Sequence, residues 1–446
     1  MISLILAAGK GTRMKSEKPK VLHEVNGMPM LKRVLKVMEN IGTENNIFIL
    51  GHKKDEVLKV MGDIEYVEQK EQLGTGHAVL MAKDKLEKCK DDVLITYGDA
   101  PLLKEETLNK MKEQFYTKNL DCILLSCKVS VPFGYGRIIK KDGNVVNVIE
   151  EKEADEEEKK INEVNTGVYI FKYDSLMEVI GKINNNNLKG EYYLTDTIKI
   201  LSDMGYKLES YQIEDEEEVL GVNSKAQLAQ ASKILRNRKN NYLMDNGVII
   251  IDPDTTYIEE QVVIGEDTVI YPNIIIQGNT EIGRNCKIFG NTRIENSVIA
   301  DNVKIESSLI EQSNLEEGVT VGPFAHLRPK TYLKKNVHVG NFVEIKNSVL
   351  EEGVKAGHLT YLGDSEVGRD TNIGAGTITC NYDGKKKHKT IIGEKAFIGS
   401  NSTIVAPVEI GEKAFTAAGS TITKKVPEKA LAFGRARQTN KEGWDK

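Results

Sequence analysis

Hydrophobic positions along the chain follow two different rules. Through the first half, apolar runs that suit buried strands (Ile2 to Leu6, Asn46 to Gly51, Asp92 to Tyr97) alternate with helically spaced stretches, Met30 to Met38 and a segment from Asp55. That alternation predicts a mostly parallel sheet covered by helices, with ligands gathered at the carboxyl ends of the strands. Further on the rule changes, and an isoleucine falls on every sixth residue: Ile258, Ile264, Ile270, Ile276, Ile282, Ile288 and Ile294. At about 100° per residue a helix turns about 240° in six steps, so these side chains would bury no common face. On extended chain they share one. Val262, Thr268, Ile274, Thr280, Cys286 and Thr292 have the same parity and are mostly small or β-branched, as inward neighbours on a strand should be.

A short strand and a bend every six residues predict a parallel β-helix, three hexads to a triangular coil, with coils about 4.8 Å apart. The beat returns at Val321, Leu327, Leu333, Val339 and Ile345, at Val367 and Ile373, and from Ile392 to Ile422. Glycines such as Gly340 and Gly399 follow the inward aliphatics, where a corner leaves little room for a Cβ. Ile373 and Ile392 are nineteen residues apart instead of eighteen, and the polar run Thr379 to His388 between them is expected to loop outward. Ser224 to Tyr242 mixes Leu228, Ile234 and Leu235 with Lys, Gln and Arg, the pattern of a connecting amphipathic helix. The expected domains are therefore 1–223, a linker helix 224–245, and coils over 246–446.

Composition narrows the partners. The chain has 446 residues and a net charge of −5 with both signs interspersed, which argues against nucleic acid as a main partner. Its longest early apolar run, Ile2 to Ala8, is too short to span a bilayer, so a cytoplasmic protein without membrane insertion is expected. The five cysteines lack zinc-like spacing and fit reduced, buried thiols.

Candidate chemistry begins where the first strand ends, in Leu6-Ala7-Ala8-Gly9-Lys10-Gly11-Thr12-Arg13-Met14, with Pro19-Lys20 soon after. Met14 replaces the third glycine of a dinucleotide fingerprint. The glycines would let backbone N–H groups approach phosphate oxygens, and Arg13 and Lys20 add charge; a solvated turn is the simpler alternative. Gln69 and Gln72-Leu73-Gly74-Thr75-Gly76-His77-Ala78 form a glycine turn before a helix. Tyr97-Gly98-Asp99 puts a carboxylate at a strand end, where it caps a helix or holds a phosphate-bound Mg²⁺.

These phrases resemble the sugar-nucleotide pyrophosphorylases. The resemblance implies that Leu6, Ala7, Ala8, Gly9, Arg13 and Lys20 hold a nucleoside triphosphate, that Gln69, Gly74 and Thr75 read uracil, and that Tyr97, Gly98, Gly136 with Arg137, Glu150, Asn165 and Asn223 complete the substrate site. It also implies that Asp99 and Asn223 bind Mg²⁺. A sugar 1-phosphate oxygen would attack the α-phosphate of UTP, a reaction of alignment and electrostatics that needs no protein nucleophile.

The coils resemble the hexapeptide acyltransferases, whose coils are left-handed and whose subunits form trimers; periodicity alone gives no hand, and the usual crossover preference is right-handed. With Gly357-His358-Leu359-Thr360-Tyr361-Leu362-Gly363-Asp364, the run Asn372 to Gly384 and the terminal Gln438 to Trp444, the whole chain resembles the bacterial enzymes that combine uridylyl and acetyl transfer. This likeness implies His358 as general base, with Glu344 orienting it. Arg328 and Lys346 would hold a sugar phosphate, and Tyr361, Asn372 and Asn381 the sugar. Ala375, Tyr382, Ser400, Ala418 and Arg435 would line an acetyl-CoA groove. His326 stands where related sequences often carry arginine. The implied substrates are glucosamine 1-phosphate, N-acetylglucosamine 1-phosphate, UTP and acetyl-CoA, the implied assembly a homotrimer, and the implied role cell-wall precursor synthesis. A one-activity nucleotidyltransferase whose coils serve assembly or regulation is the alternative.

Overall fold

The computed structural model describes residues 1–444, and the chain divides into two compact units, Met1–Leu235 and Arg236–Lys446. In the first unit the strands run in the order Leu208–Ile213, Cys122–Lys128, Glu163–Phe171, Val93–Tyr97, Ile2–Ala7, Asn46–Leu50, Glu65–Glu68. All neighbours are parallel except around Glu163–Phe171, which is antiparallel to both of its own. Strand parity divides the core in two. Ile2, Leu4 and Leu6 pack with Ala78 and Val79 on one face, while Ile5 and Ala7 meet Leu31, Val34 and Met38 on the other. A strand buried on both faces has no polar row, which explains the unbroken apolar run at the amino terminus.

The second unit is a prism of three parallel sheets, of eleven, ten and nine strands among the described residues. They start at Ile249–Ile250, Thr256–Ile258 and Val263–Ile264 and are revisited in turn. Ile258 registers with Ile276, then Ile294, Ile310, Leu327, Ile345 and Leu362, one inward stack of fully buried side chains. The inward threonines satisfy their hydroxyls on corner carbonyls: Thr268 donates to Gly283 at 2.8 Å, Thr280 to Gln277 at 2.6 Å and Thr292 to Phe289 at 2.7 Å. Gly340 shows how tightly coils stack, because a Cβ there would lie 1.9 Å from the carbonyl oxygen of Gly357.

Two expectations need correction. The beat does not pause after Ile294 but shortens, with Ile299, Ile305, Ile310 and Leu315 all inward. Left-handed residues turn these shortened corners, Asn296 at φ +49°, Ser307 at +43° and Gln312 at +42°, as Asn285 at +55° and Asn291 at +59° turn the full-length ones. The outward loop also begins later than expected. Thr379 is buried in the strand Ile378–Cys380, and the excursion proper is a small hairpin closed by a Tyr382–Lys387 bridge.

The helix Lys225–Asp245 belongs to both units. Ala231, Ile234 and Leu235 pack with Val25, Met30, Leu102 and Val222 in the first. In the second, the Arg236 guanidinium lies 4.3 Å from the Tyr257 ring centroid, and Asn240 Nδ2 donates to Pro253 O at 3.0 Å and Thr256 O at 3.1 Å. Among the described residues, no helix is long and apolar enough to cross a membrane, and the cysteines form no disulfide.

Candidate active sites

In the first unit a cavity of about 390 Å³ opens at the carboxyl ends of the central strands. Leu6, Ala7, Ala8, Gly9, Lys20, Gln69, Gly74, Thr75, Tyr97, Asp99 and Glu150 line it. At one end, Lys20 Nζ lies 2.5 Å from Asp99 Oδ2 and 3.0 Å from Asn223 Oδ1. Two hard oxygens, from a strand end and from the approach to the helix, thus converge on one cation. Gly98 belongs to the wall behind them, because a Cβ there would strike Leu31 Cδ1 at 2.7 Å and Ala7 Cβ at 3.2 Å. Gly167, at φ +82°, would place a Cβ 1.9 Å from Tyr97 Cε2, so the tyrosine ring rests directly on backbone.

Burial raises the Tyr97 phenol, and the carboxylates of Glu150 and Asp99 raise it further, so it is a neutral hydrogen-bonding group. Burial also raises Glu150, whose Oε1 accepts from Thr195 Oγ1 at 3.2 Å. Gly136 and Asn165 stand together, Asn165 N donating to Gly136 O at 2.8 Å, and Asn165 Nδ2 donates to Tyr169 Oη at 2.7 Å. Neither they nor Arg13 lines the cavity in this conformation. Arg137 is turned away altogether, 1 % exposed and paired with Glu151 Oε2 at 2.7 Å. A polar segment that gave no sequence signal, Lys189, Glu191, Tyr193 and Thr195, closes the cavity opposite the glycine loop.

In the coils, the register gathers one set of candidates on one edge. Lys355, Asn372, Phe397 and Phe415 are successive partners, and Ala375, Ser400 and Ala418 follow three positions further along the chain. Backbone bonds tie this column, Asn401 N to Ala375 O at 2.7 Å and Gly419 N to Ser400 O at 2.8 Å. Arg435 stands near the end of this column, its Cδ 3.9 Å from a Cβ built on Gly419. His358 Nδ1 donates to Asn341 Oδ1 at 2.8 Å. Glu344 does not orient it: its Oε1 accepts from Arg328 Nη1 at 2.8 Å, because Glu344 lies on the neighbouring sheet, one coil from Arg328.

On that second sheet, Tyr361 Oη and Asn381 Nδ2 converge over Gly363, where a Cβ would meet them at 2.4 and 2.7 Å. Lys346 is the registered neighbour of Gly363. Its ammonium is harder to protonate than usual because Lys387 of the hairpin stands beside it, with Arg328 adding to the repulsion. Three cations held together define an anion subsite. Lys387 carries no signal in the sequence, since nothing in the run Lys385-Lys386-Lys387 says which one folds back. His326 Nε2 pairs with Glu311 Oε2 at 2.8 Å instead of reaching this cluster. Asn372, expected on the sugar, lies on the first sheet between Lys355 and Phe397, and Tyr382, expected in the acetyl-CoA groove, sits exposed in the hairpin with its hydroxyl donating to Gly384 O at 2.7 Å.

A strand-end cavity beside a glycine loop and a histidine held by Asn341 on a prism edge fit a two-part transferase. Residues 3–154 match the MobA-like NTP transferase domain, and 261–296 and 389–424 match the bacterial transferase hexapeptide (six repeats), the family of left-handed β-helices. The Bifunctional protein GlmU of Clostridioides difficile (strain 630) is 49% identical, covering 99% of this chain and 96% of its own length. Those of Enterococcus faecalis (strain ATCC 700802 / V583) and Acetivibrio thermocellus are 49% and 46% identical, each over 100% of this chain and 97% of its own. The chain belongs to the GlmU family of bifunctional transferases.

Proposed function

We propose that the coils acetylate glucosamine 1-phosphate with acetyl-CoA, and that the strand-end cavity then transfers UMP from UTP to N-acetylglucosamine 1-phosphate, giving UDP-N-acetylglucosamine and pyrophosphate. One observation carries the reading: each unit has its own positive charge for phosphate, Lys20 in the first and the cluster Arg328, Lys346 and Lys387 in the second. At the prism edge, Asn341 keeps the ring proton on His358 Nδ1, leaving Nε2 to take a proton from the attacking amine. Tyr361 and Asn381 orient the sugar, and Ala375, Ser400, Ala418 and Arg435 receive the coenzyme.

In the cavity, Gln69, Gly74 and Thr75 receive the base, Glu150 and Thr195 the sugar, and Lys20 the phosphates, while Asn165 and Arg13, outside its lining, would complete the sugar and phosphate contacts. Asp99 and Asn223 would hold Mg²⁺, and the pair suits it, since its two oxygens already hold the Lys20 ammonium. No cluster of three His, Cys, Asp or Glu competes for a metal among the described residues, and Mg²⁺ favours few protein ligands plus water and phosphate. The ion would offset charge on the phosphates as pyrophosphate leaves.

A cytoplasmic homotrimer completes the proposal. Phe324, Phe342 and Leu359 are 59%, 56% and 62% exposed and follow the edge beside His358, a strip that a second copy of the chain would cover. Each half-reaction is assayed separately, CoA release with glucosamine 1-phosphate and pyrophosphate release with N-acetylglucosamine 1-phosphate and UTP. Pyrophosphate without CoA release would reduce the coils to a scaffold.

A further inference from the structure

Gln69 is only 3% exposed yet lines the strand-end cavity. Its Nε2 donates to Gly74 O at 3.1 Å and to His77 Nδ1 at 3.0 Å. A carbonyl oxygen can only accept, so the contact with Gly74 fixes which end of the amide is turned toward the loop. The second Nε2 hydrogen then requires His77 Nδ1 to be the unprotonated nitrogen of its ring. Both amide hydrogens are thereby used inside the protein, and the acceptor Oε1 is what remains for a ligand. The backbone holds the residue as well: Gln69 N donates to Leu50 O at 2.7 Å, and Gln69 O accepts from Gln72 Nε2 at 3.2 Å.

We propose that His77 is a positioning residue for base selection: by taking the second Nε2 hydrogen it holds Gln69 Oε1 as an acceptor for a pyrimidine whose N3 carries hydrogen. The inference rests on the reading of this cavity as the UTP site and extends it to specificity. Uracil has an N3–H, whereas cytosine has a bare N3. A fixed acceptor binds the first and repels the second. To serve cytosine, the amide would have to turn over, setting Oε1 against Gly74 O, acceptor to acceptor, and forcing the His77 ring proton onto Nδ1. His77 rides on the helix Thr75–Met81, whose first residue also lines the cavity, so one element carries the loop and the lock.

The test is the ratio of kcat/KM for UTP over CTP in the full chain with N-acetylglucosamine 1-phosphate, a ratio that does not depend on how much of a preparation is folded. The wild type is expected to favour UTP. His77→Leu removes the acceptor and should lower the ratio by about tenfold or more, mainly through KM. His77→Asn, whose Oδ1 can replace Nδ1, should restore most of it. A wild-type ratio in the Leu variant overturns the proposal, and equal losses in both variants overturn it too, by reducing His77 to packing. A wild-type chain that treats UTP and CTP alike would instead overturn the reading of the cavity beneath it.

Discussion

His358 and Asn341 are registered partners on adjacent coils, joined by the 2.8 Å bond from Nδ1 to Oδ1. That bond sets the tautomer, so Asn341→Ala should lower kcat for acetyl transfer about tenfold with little change in KM for acetyl-CoA. His358→Ala should abolish acetyl transfer and leave uridylyl transfer near normal. Steady-state kinetics of both half-reactions checks this, and equal loss of the two activities would contradict separate sites.

Lys346 loses its proton at lower pH than an ordinary lysine because Lys387 and Arg328 crowd it. Phosphate binding needs the ammonium, so the KM for glucosamine 1-phosphate should rise on the alkaline side earlier than an isolated lysine would dictate. In Lys387→Met the repulsion falls and this limb moves to higher pH, while KM at neutral pH rises about tenfold from the lost cation. A pH series of KM on both proteins reads the two effects.

The Lys20 ammonium occupies both oxygens expected to receive a divalent ion. Without nucleotide, Mn²⁺ should bind the wild type weakly and Lys20→Met about tenfold more tightly, since one competing charge is gone from a half-buried site. Electron paramagnetic resonance of free Mn²⁺ measures this without turnover. Equal affinities would place the ion elsewhere.

Asp196, at the start of the helix Asp196–Asp203, is raised from 3.8 to about 6, by burial first and then by Glu150 and Glu153. A carboxyl that holds its proton more tightly when folded destabilises the fold as pH rises from the unfolded to the folded value. Asp196→Asn should therefore stabilise the chain by about 1 kcal/mol above pH 6, after allowance for solvent screening, and not at all near pH 4. Thermal unfolding at both pH values tests it.

The period of six was legible because inward positions tolerate only aliphatics and small polar residues, and it disappeared where the sides holding Asn296, Ser307 and Gln312 are one residue shorter and shift the parity. The glycine loop stood out because glycines directly after a strand have few readings, whereas Asp99 and Gln69 had a role only through the resemblance to the sugar-nucleotide pyrophosphorylases. Tyr193, Thr195 and Lys387 were not legible, because their roles come from a segment folding back, which no local pattern records. The partner of His358 was misread for a related reason. Which side chain meets the imidazole depends on counting coils, and Glu344 lies on a different sheet from Asn341.

The stacked register makes position along the prism an address, with the row choosing the face and the coil choosing the storey. Each storey rests only on those directly above and below. Removing one full turn between Ile264 and Ile282 would shorten the tower while the floor that holds His358 kept the same ceiling and the same support.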